Sequence, residues 1–107
     1  MNNKNRNSDK DNALYRAILK LETLDECYRF FVDLCTVSEL KAMEQRFQVA
    51  RMLSNGMIYH DILEQTGASS ATISRVNRAL TYGTDGSATI LNRLNDPDSA
   101  DSEASDE

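Results

Sequence analysis

Apolar residues recur along this chain at the three- and four-residue spacing of α-helices, and no segment shows the alternation of a half-buried strand. The pattern predicts six helices, at about residues 12–21, 24–35, 39–53, 59–66, 70–82 and 88–94. No internal repeat is present. The predicted fold class is therefore all-α.

Short polar residues and glycines mark the predicted helix ends. Thr23 precedes the second helix and Glu26 follows three residues later, which is the capping-box pattern. Ser38 precedes the third helix, which ends before Gly56. A glycine-containing break follows the fifth helix, and Ser87 is placed to cap the last one.

The second helix is apolar on more than one side. Its inward stripe consists of Leu24, Cys27, Tyr28, Phe31, Leu34 and Cys35, and Phe30 and Val32 widen it. A helix that is apolar on several sides is buried from several directions, and a chain of 107 residues has only a modest core of its own. We therefore expect a homodimer, with a helical domain over residues 13–94 between a disordered segment (1–12) and a disordered tail (95–107).

Residues 59–82 predict a helix-turn-helix. Gly67 lies where the turn requires a positive φ, and Ile62, Leu63, Ile73 and Val76 are spaced to bury the contact between the two helices. Either Ser69 or Ser70 caps the second helix. The residues predicted to face a DNA groove are Ser69, Ser70, Ala71, Thr72 and Ser74, with Arg75 and Arg78 for phosphates or guanine.

The net charge of −5 is unusual for a DNA-binding protein, but much of the negative charge lies outside the predicted helical domain. Residues 95–107 hold six acids and no Lys or Arg, which leaves 11 acids and 12 basic residues for residues 1–94. Between residues 69 and 83 there is no acid at all. The local field of the predicted DNA-facing helix is therefore positive.

Several other classes of protein find no support in the sequence. No apolar run is long enough to span a bilayer and the polar start is unlike a signal peptide, so we expect a cytoplasmic protein without a membrane partner. Cys27 and Cys35 with His60 make a poor zinc set, and the two thiols are expected to stay reduced. His60 and Asp61 are adjacent, so on a helix they diverge and form no catalytic pair. We expect neither a metal nor a catalytic site.

From Val37 onward the sequence resembles the tryptophan repressor superfamily, and with its first two helices it looks like the small YerC/YecD branch. Residues 42–50 (AMEQRFQVA), 55–57 (NGM) and 67–75 (GASSATISR) carry the resemblance. It implies an intertwined all-helical homodimer, in which long central helices cross the dimer axis and helix-turn-helix units project from a shared core.

The resemblance also implies a ligand pocket. In the tryptophan repressor two arginines enclose the indole of the corepressor, and Arg46 and Arg75 match those positions. Val76 stands where the repressor has glycine, and Ala79 stands where it has the serine that holds the amino group of the ligand. An unpaired ammonium is costly to bury, so tryptophan is disfavoured and an unknown small corepressor is the expectation.

The combined expectation is a sequence-specific, DNA-binding transcriptional regulator of the repressor type, acting on double-stranded DNA as a homodimer. A second class stays open, since phosphate binding depends on cations and this chain has few spare ones. That alternative is a helical dimeric module that binds other proteins through its acidic tail without reading DNA.

Overall fold

The computed structural model describes residues 9–96 of the chain. Over that range it has six helices and no strand, which confirms the all-α prediction. The helices are α1 (Asp9–Ile18), α2 (Leu24–Leu34), α3 (Val37–Ser54), α4 (Tyr59–Thr66), α5 (Ser70–Tyr82) and α6 (Gly86–Asn95). They divide into two compact units, one ending at Cys35 and the next beginning at Thr36.

The first unit consists of α1 and α2. Helix α1 begins at Asp9, so residues 9–12 are helical rather than disordered as the sequence pattern predicted. It also ends earlier than expected, because the amides of Lys20 and Leu21 bond to carbonyls three residues back and so tighten the chain into a turn. Thr23 caps α2 by accepting the Glu26 amide at 3.0 Å. The Glu26 carboxylate reaches back to the amide of Glu22.

No residue of α2 is buried within the chain, although its sequence predicted an inward stripe. Leu24 is 67% exposed, Tyr28 60% and Leu34 55%. Cys27 and Cys35 are half-buried free thiols. The apolar surface of α2 is thus present, and most of it is uncovered in the single chain.

The second unit is built on α3. Thr36 and Glu39 form a reciprocal capping box at its start, so the helix begins before Ser38, the predicted cap. Helices α4, α5 and α6 all pack against α3. Asp85 precedes α6 with φ +69°, and α6 therefore begins at Gly86 rather than at Ala88 as predicted.

The core of the second unit is small and draws on every helix in it. Its buried members are Val49, Ala50, Ile62, Ala68, Ile73, Val76 and Leu91. The prediction that Leu63 is buried between α4 and α5 is wrong, because Leu63 is 41% exposed while its neighbour Ile62 is fully buried. Adjacent helix positions diverge by about 100°, and on α4 it is Ile62 rather than Leu63 that faces the core.

Candidate nucleic-acid interface

Helices α4 and α5 are joined by a short turn at Gly67, which is consistent with the predicted helix-turn-helix. Gly67 has φ +74°, a left-handed conformation that glycine adopts without strain, and its amide donates to the carbonyl of Leu63 at 2.9 Å. Ala68 follows in a buried position. The turn is consequently short, and the change in backbone direction between α4 and α5 depends on Gly67.

A hydrogen-bond network holds this turn against α3. The Thr66 hydroxyl donates to the Ile62 carbonyl at 2.8 Å and accepts the Ala68 amide at 3.1 Å. The Gln45 side-chain amide, on α3, donates to the Thr66 carbonyl at 3.1 Å. The end of α4 is therefore tied both to its own last turn and to the long helix beneath it.

Ser69, rather than Ser70, caps α5. Its hydroxyl accepts the Thr72 amide at 3.1 Å and donates to the Thr72 hydroxyl at 3.1 Å. Two of the residues predicted to face a DNA groove are thus hydrogen-bonded to each other in the free chain. Thr72 is also half-buried, which leaves it less available than the rest of the set.

The other predicted DNA contacts share the outward side of α5. Ala71, Ser74 and Arg78 follow one another at helical spacing, and all three are exposed. The opposite side of the helix carries the buried Ile73 and Val76. Ser70 and Arg75 are exposed as well, so the structure places a small polar start and two guanidinium groups on the solvent side of one helix.

The arginines on this helix are free to meet an external anion. Arg75 and Arg78, and likewise Arg46 on α3, form no ion pair or side-chain hydrogen bond with any other residue in the range 9–96. No acidic residue lies between positions 69 and 83. A guanidinium group with a carboxylate partner would have to break that ion pair before it could bind a phosphate. Arg75 and Arg78 have no such partner, so they can bind a phosphate directly.

A pocket of about 350 Å³ lies between α3, α5 and the start of α6. Its lining consists of Met43, Arg46, Phe47, Ala50, Arg75, Val76, Ala79, Leu80 and Ser87. All four residues that the resemblance assigned to a ligand pocket are in that lining. Arg75 thus borders both the pocket and the outward side of α5.

Sequence reasoning missed several contributors to this region. Met43, Phe47 and Ser87 line the pocket, and Gln45 and Thr66 hold the turn. Thr66, directly before Gly67, was a turn signal readable in the sequence, because a threonine hydroxyl can bond the backbone two residues further on. Nothing local distinguishes Gln45, because its partner lies 21 residues away.

The chain matches a known protein family over most of its length. The family model described as Trp repressor protein matches residues 10–95. The chain belongs to the Trp repressor family. The uncharacterized protein YerC of Bacillus subtilis (strain 168) is 51% identical over 89 residues, covering 83% of this chain and 86% of YerC, which confirms the predicted branch.

Two solved structures resemble the chain in fold and sequence. A TrpR-like protein from Eubacterium eligens ATCC 27750 superposes with a TM-score of 0.79 at 52% identity, covering 87% of this chain and 95% of that one. A candidate Trp repressor from Staphylococcus aureus gives a TM-score of 0.81 at 46% identity, covering 89% and 95%. The predicted helix-turn-helix regulator of the DNA-binding kind agrees with this family membership.

Other kinds of site are not evident in the part of the chain that the structure describes. Residues 9–96 contain no group of three His, Cys, Asp or Glu side chains arranged to hold a metal ion. His60 contacts Glu64 at 3.4 Å, one turn along α4, and both are exposed. None of the described helices is both long and apolar enough for a bilayer crossing.

Proposed function

We propose that this Trp repressor family member acts as a homodimeric, sequence-specific repressor of transcription, gated by a small ligand. The observation that carries the proposal is the outward side of α5, where Arg75 and Arg78 are unpaired and follow a run of small, mostly polar residues. Small side chains let a helix approach base edges closely, while guanidinium groups contact phosphates or guanine.

The dimer is proposed from the uncovered apolar surface of the first unit. Leu19 is 83% exposed, and Leu24, Tyr28 and Leu34 are each more than half exposed. A two-fold dimer would bury this surface and place two α5 helices to read half-sites about 34 Å apart. Sedimentation velocity tests it: a particle with twice the mass of the chain is expected, and a monomer at DNA-binding concentrations would contradict the proposal.

Ligand gating is proposed from the position of Arg75. Because this side chain lines the pocket and also lies on the outward side of α5, a ligand that orients it changes how α5 meets DNA. Binding linkage is reciprocal, so a ligand that alters DNA affinity must itself bind differently to the DNA complex.

The deciding experiment begins by selecting bound fragments from genomic DNA with the full chain. Affinity for a selected fragment is then measured by fluorescence anisotropy against salt. The double variant Arg75→Ala, Arg78→Ala should lose affinity and flatten the salt slope by about four charges per dimer, since each phosphate contact contributes about one unit and each chain loses two. Arg51→Ala is the matched control, because Arg51 is an exposed arginine at the end of α3 and outside the helix-turn-helix.

The outcomes separate the proposal from the alternative. Selective recovery of fragments, with a loss confined to the α5 double variant, supports DNA reading. If no fragment is enriched, or if Arg51→Ala weakens binding as much as the double variant does, α5 is not the reading helix. A chain that binds proteins through its acidic tail would show no salt-dependent DNA binding.

A further inference from the structure

The outward side of α5 carries two cations that have no partner in the described part of the chain. Arg75 and Arg78 are exposed, and neither forms an ion pair or side-chain hydrogen bond with a residue between 9 and 96. Residues 97–107 lie outside that range and contain five acids and no Lys, Arg or His. We propose that this acidic segment (residues 97–107) binds Arg75 and Arg78 of its own chain and competes with DNA phosphate for them.

The acidic segment is long enough to reach these arginines. It follows α6, and Ser87 in the first turn of α6 lines the same pocket as Arg75. A pocket of about 350 Å³ is about 10 Å across and α6 is about 15 Å long, so the end of α6 lies within about 25 Å of Arg75. Eleven residues span up to about 36 Å. The last acids of the segment therefore reach Arg75 and Arg78 without any change in the core.

The charges of the two surfaces are complementary. No acidic residue occurs between positions 65 and 84, so the field around α5 is positive, whereas every charge of the acidic segment is negative. An exposed ion pair is weak by itself. A tethered segment, however, acts at an effective concentration in the millimolar range, and at that concentration several weak pairs are enough to occupy the arginines for much of the time.

Arg75 and Arg78 suit the acidic segment better than the other arginines of the second unit do. They lie three residues apart on one helix, so both face a single segment, and Arg46 lines the same pocket as Arg75 and adds to the positive charge there. Arg51 is exposed at the end of α3 and offers one charge. Arg93 on α6 already takes part in another interaction. Arg51 is therefore the competing site that an experiment has to exclude.

Competition with DNA follows from the shared cations. A phosphate needs the same guanidinium groups that the acidic segment occupies, so each chain has to release its segment before α5 contacts DNA. Salt screens the pairs between carboxylate and guanidinium, and the competition therefore weakens as the salt concentration rises. This inference rests on the proposed function, because it specifies how the DNA-binding surface of α5 is regulated.

NMR of the arginine side chains tests the contact without DNA. The full chain is compared with a neutral-segment variant, in which the five acids are replaced by their amides: Asp98→Asn, Asp101→Asn, Glu103→Gln, Asp106→Asn and Glu107→Gln. At about 20 mM salt the Nε–Hε signals of Arg75 and Arg78 should differ between the two proteins, and at about 0.5 M salt they should coincide. The difference should not depend on protein concentration, because the segment is part of the same chain.

Arg51 and Arg29 are the controls in the same spectra. Arg29 already pairs with Asp25 at 2.8 Å on α2, so its signal should not change. If neither arginine of α5 responds to neutralisation of the acidic segment, or if Arg51 responds as strongly as they do, the proposal is wrong.

DNA affinity tests the competition. The neutral-segment variant should bind a duplex recovered from genomic DNA about tenfold more tightly than the full chain at low salt, since a gain of about threefold per chain multiplies over the two chains of a dimer. The gain should shrink as salt is added. Equal affinity of the two proteins at low salt would overturn the proposal.

Arg78→Ala separates a contact with α5 from general repulsion between an acidic protein and DNA. If the acidic segment acts through the α5 arginines, neutralising it in the Arg78→Ala background should increase affinity by only about threefold, because one of its two partners in each chain is gone. General repulsion does not depend on Arg78. An undiminished gain in this background would therefore contradict the proposal.

The inference and the proposed function can fail separately. If DNA binds through Arg75 and Arg78 but neutralising the acidic segment changes neither their signals nor the affinity, only the contact with the segment is removed. If the arginine signals respond as expected in a protein that enriches no DNA fragment, the contact stands and the proposed function is removed.

Discussion

Removing the side-chain amide of Gln45 should loosen the turn between α4 and α5. The amide donates to the Thr66 carbonyl at 3.1 Å in a half-buried setting. That carbonyl is one of the last four carbonyls of α4, and the last four carbonyls of a helix find no amide partner within it. Gln45→Ala would thus leave the end of α4 held only by local bonds.

The expected loss follows from the hydrogen bond. A side-chain hydrogen bond contributes about 1 kcal/mol net, and a half-buried carbonyl left without a partner adds a cost of similar size. We expect Gln45→Ala to lower the free energy of unfolding by about 1–2 kcal/mol. In a domain of this length that lowers the melting temperature by about 4–8 °C per kcal/mol, compared at one protein concentration because a dimer melts in a concentration-dependent way.

DNA affinity supplies a second measurement. If DNA binding must restore the order of the turn, affinity falls by up to about tenfold, since 1.4 kcal/mol corresponds to about tenfold. Gln48→Ala is the matched control on the same helix, because Gln48 is exposed and makes no hydrogen bond with a described residue. Gln45→Met keeps the length of the side chain and should behave like Gln45→Ala.

The outcome that refutes this reasoning is specific. If Gln45→Ala and Gln48→Ala unfold at the same urea concentration, the contact with Thr66 does not stabilise the fold. If Gln45→Ala is less stable but binds DNA as the parent does, the contact stabilises the core without positioning α5. Full stability in Gln45→Met would show that packing rather than the hydrogen bond is responsible.

Three further predictions concern the second unit, and urea denaturation tests each of them. Gly83→Ala should lower the free energy of unfolding by about 1–3 kcal/mol, because the new Cβ would overlap a backbone carbonyl of α5. In the control Gly86→Ala the Cβ meets only an ordinary contact, so stability should be unchanged or slightly higher. Equal effects of the two substitutions would contradict this. Ile73→Ala should cost about 2–5 kcal/mol since the side chain is fully buried, and a loss below about 1 kcal/mol would mean that the core is not packed as described. Ser69→Ala should cost about 1 kcal/mol through the lost cap, and Ser70→Ala, which caps nothing, should cost less.

Local chemistry determined much of this protein from the sequence. The 3.6-residue spacing predicted each helix, and the ends of α4 and α5 agree with the prediction because a glycine and a serine cap stand beside them. A cap acts on the three or four residues next to it, so neighbouring sequence is enough to read it. Errors arose where two caps competed, as when Thr36 and not Ser38 began α3.

Tertiary structure decided what depends on distant residues. The pocket joins Arg46 on α3 to Arg75 on α5 and Ser87 on α6, and the sequence alone brought the two arginines together only through a family resemblance. The Gln45 bond to Thr66 had no signal at all, because a side-chain amide is ordinary on a helix surface until another helix end lies beside it. Burial was likewise decided by packing, since periodicity marks the apolar side of a helix without showing whether another element covers it.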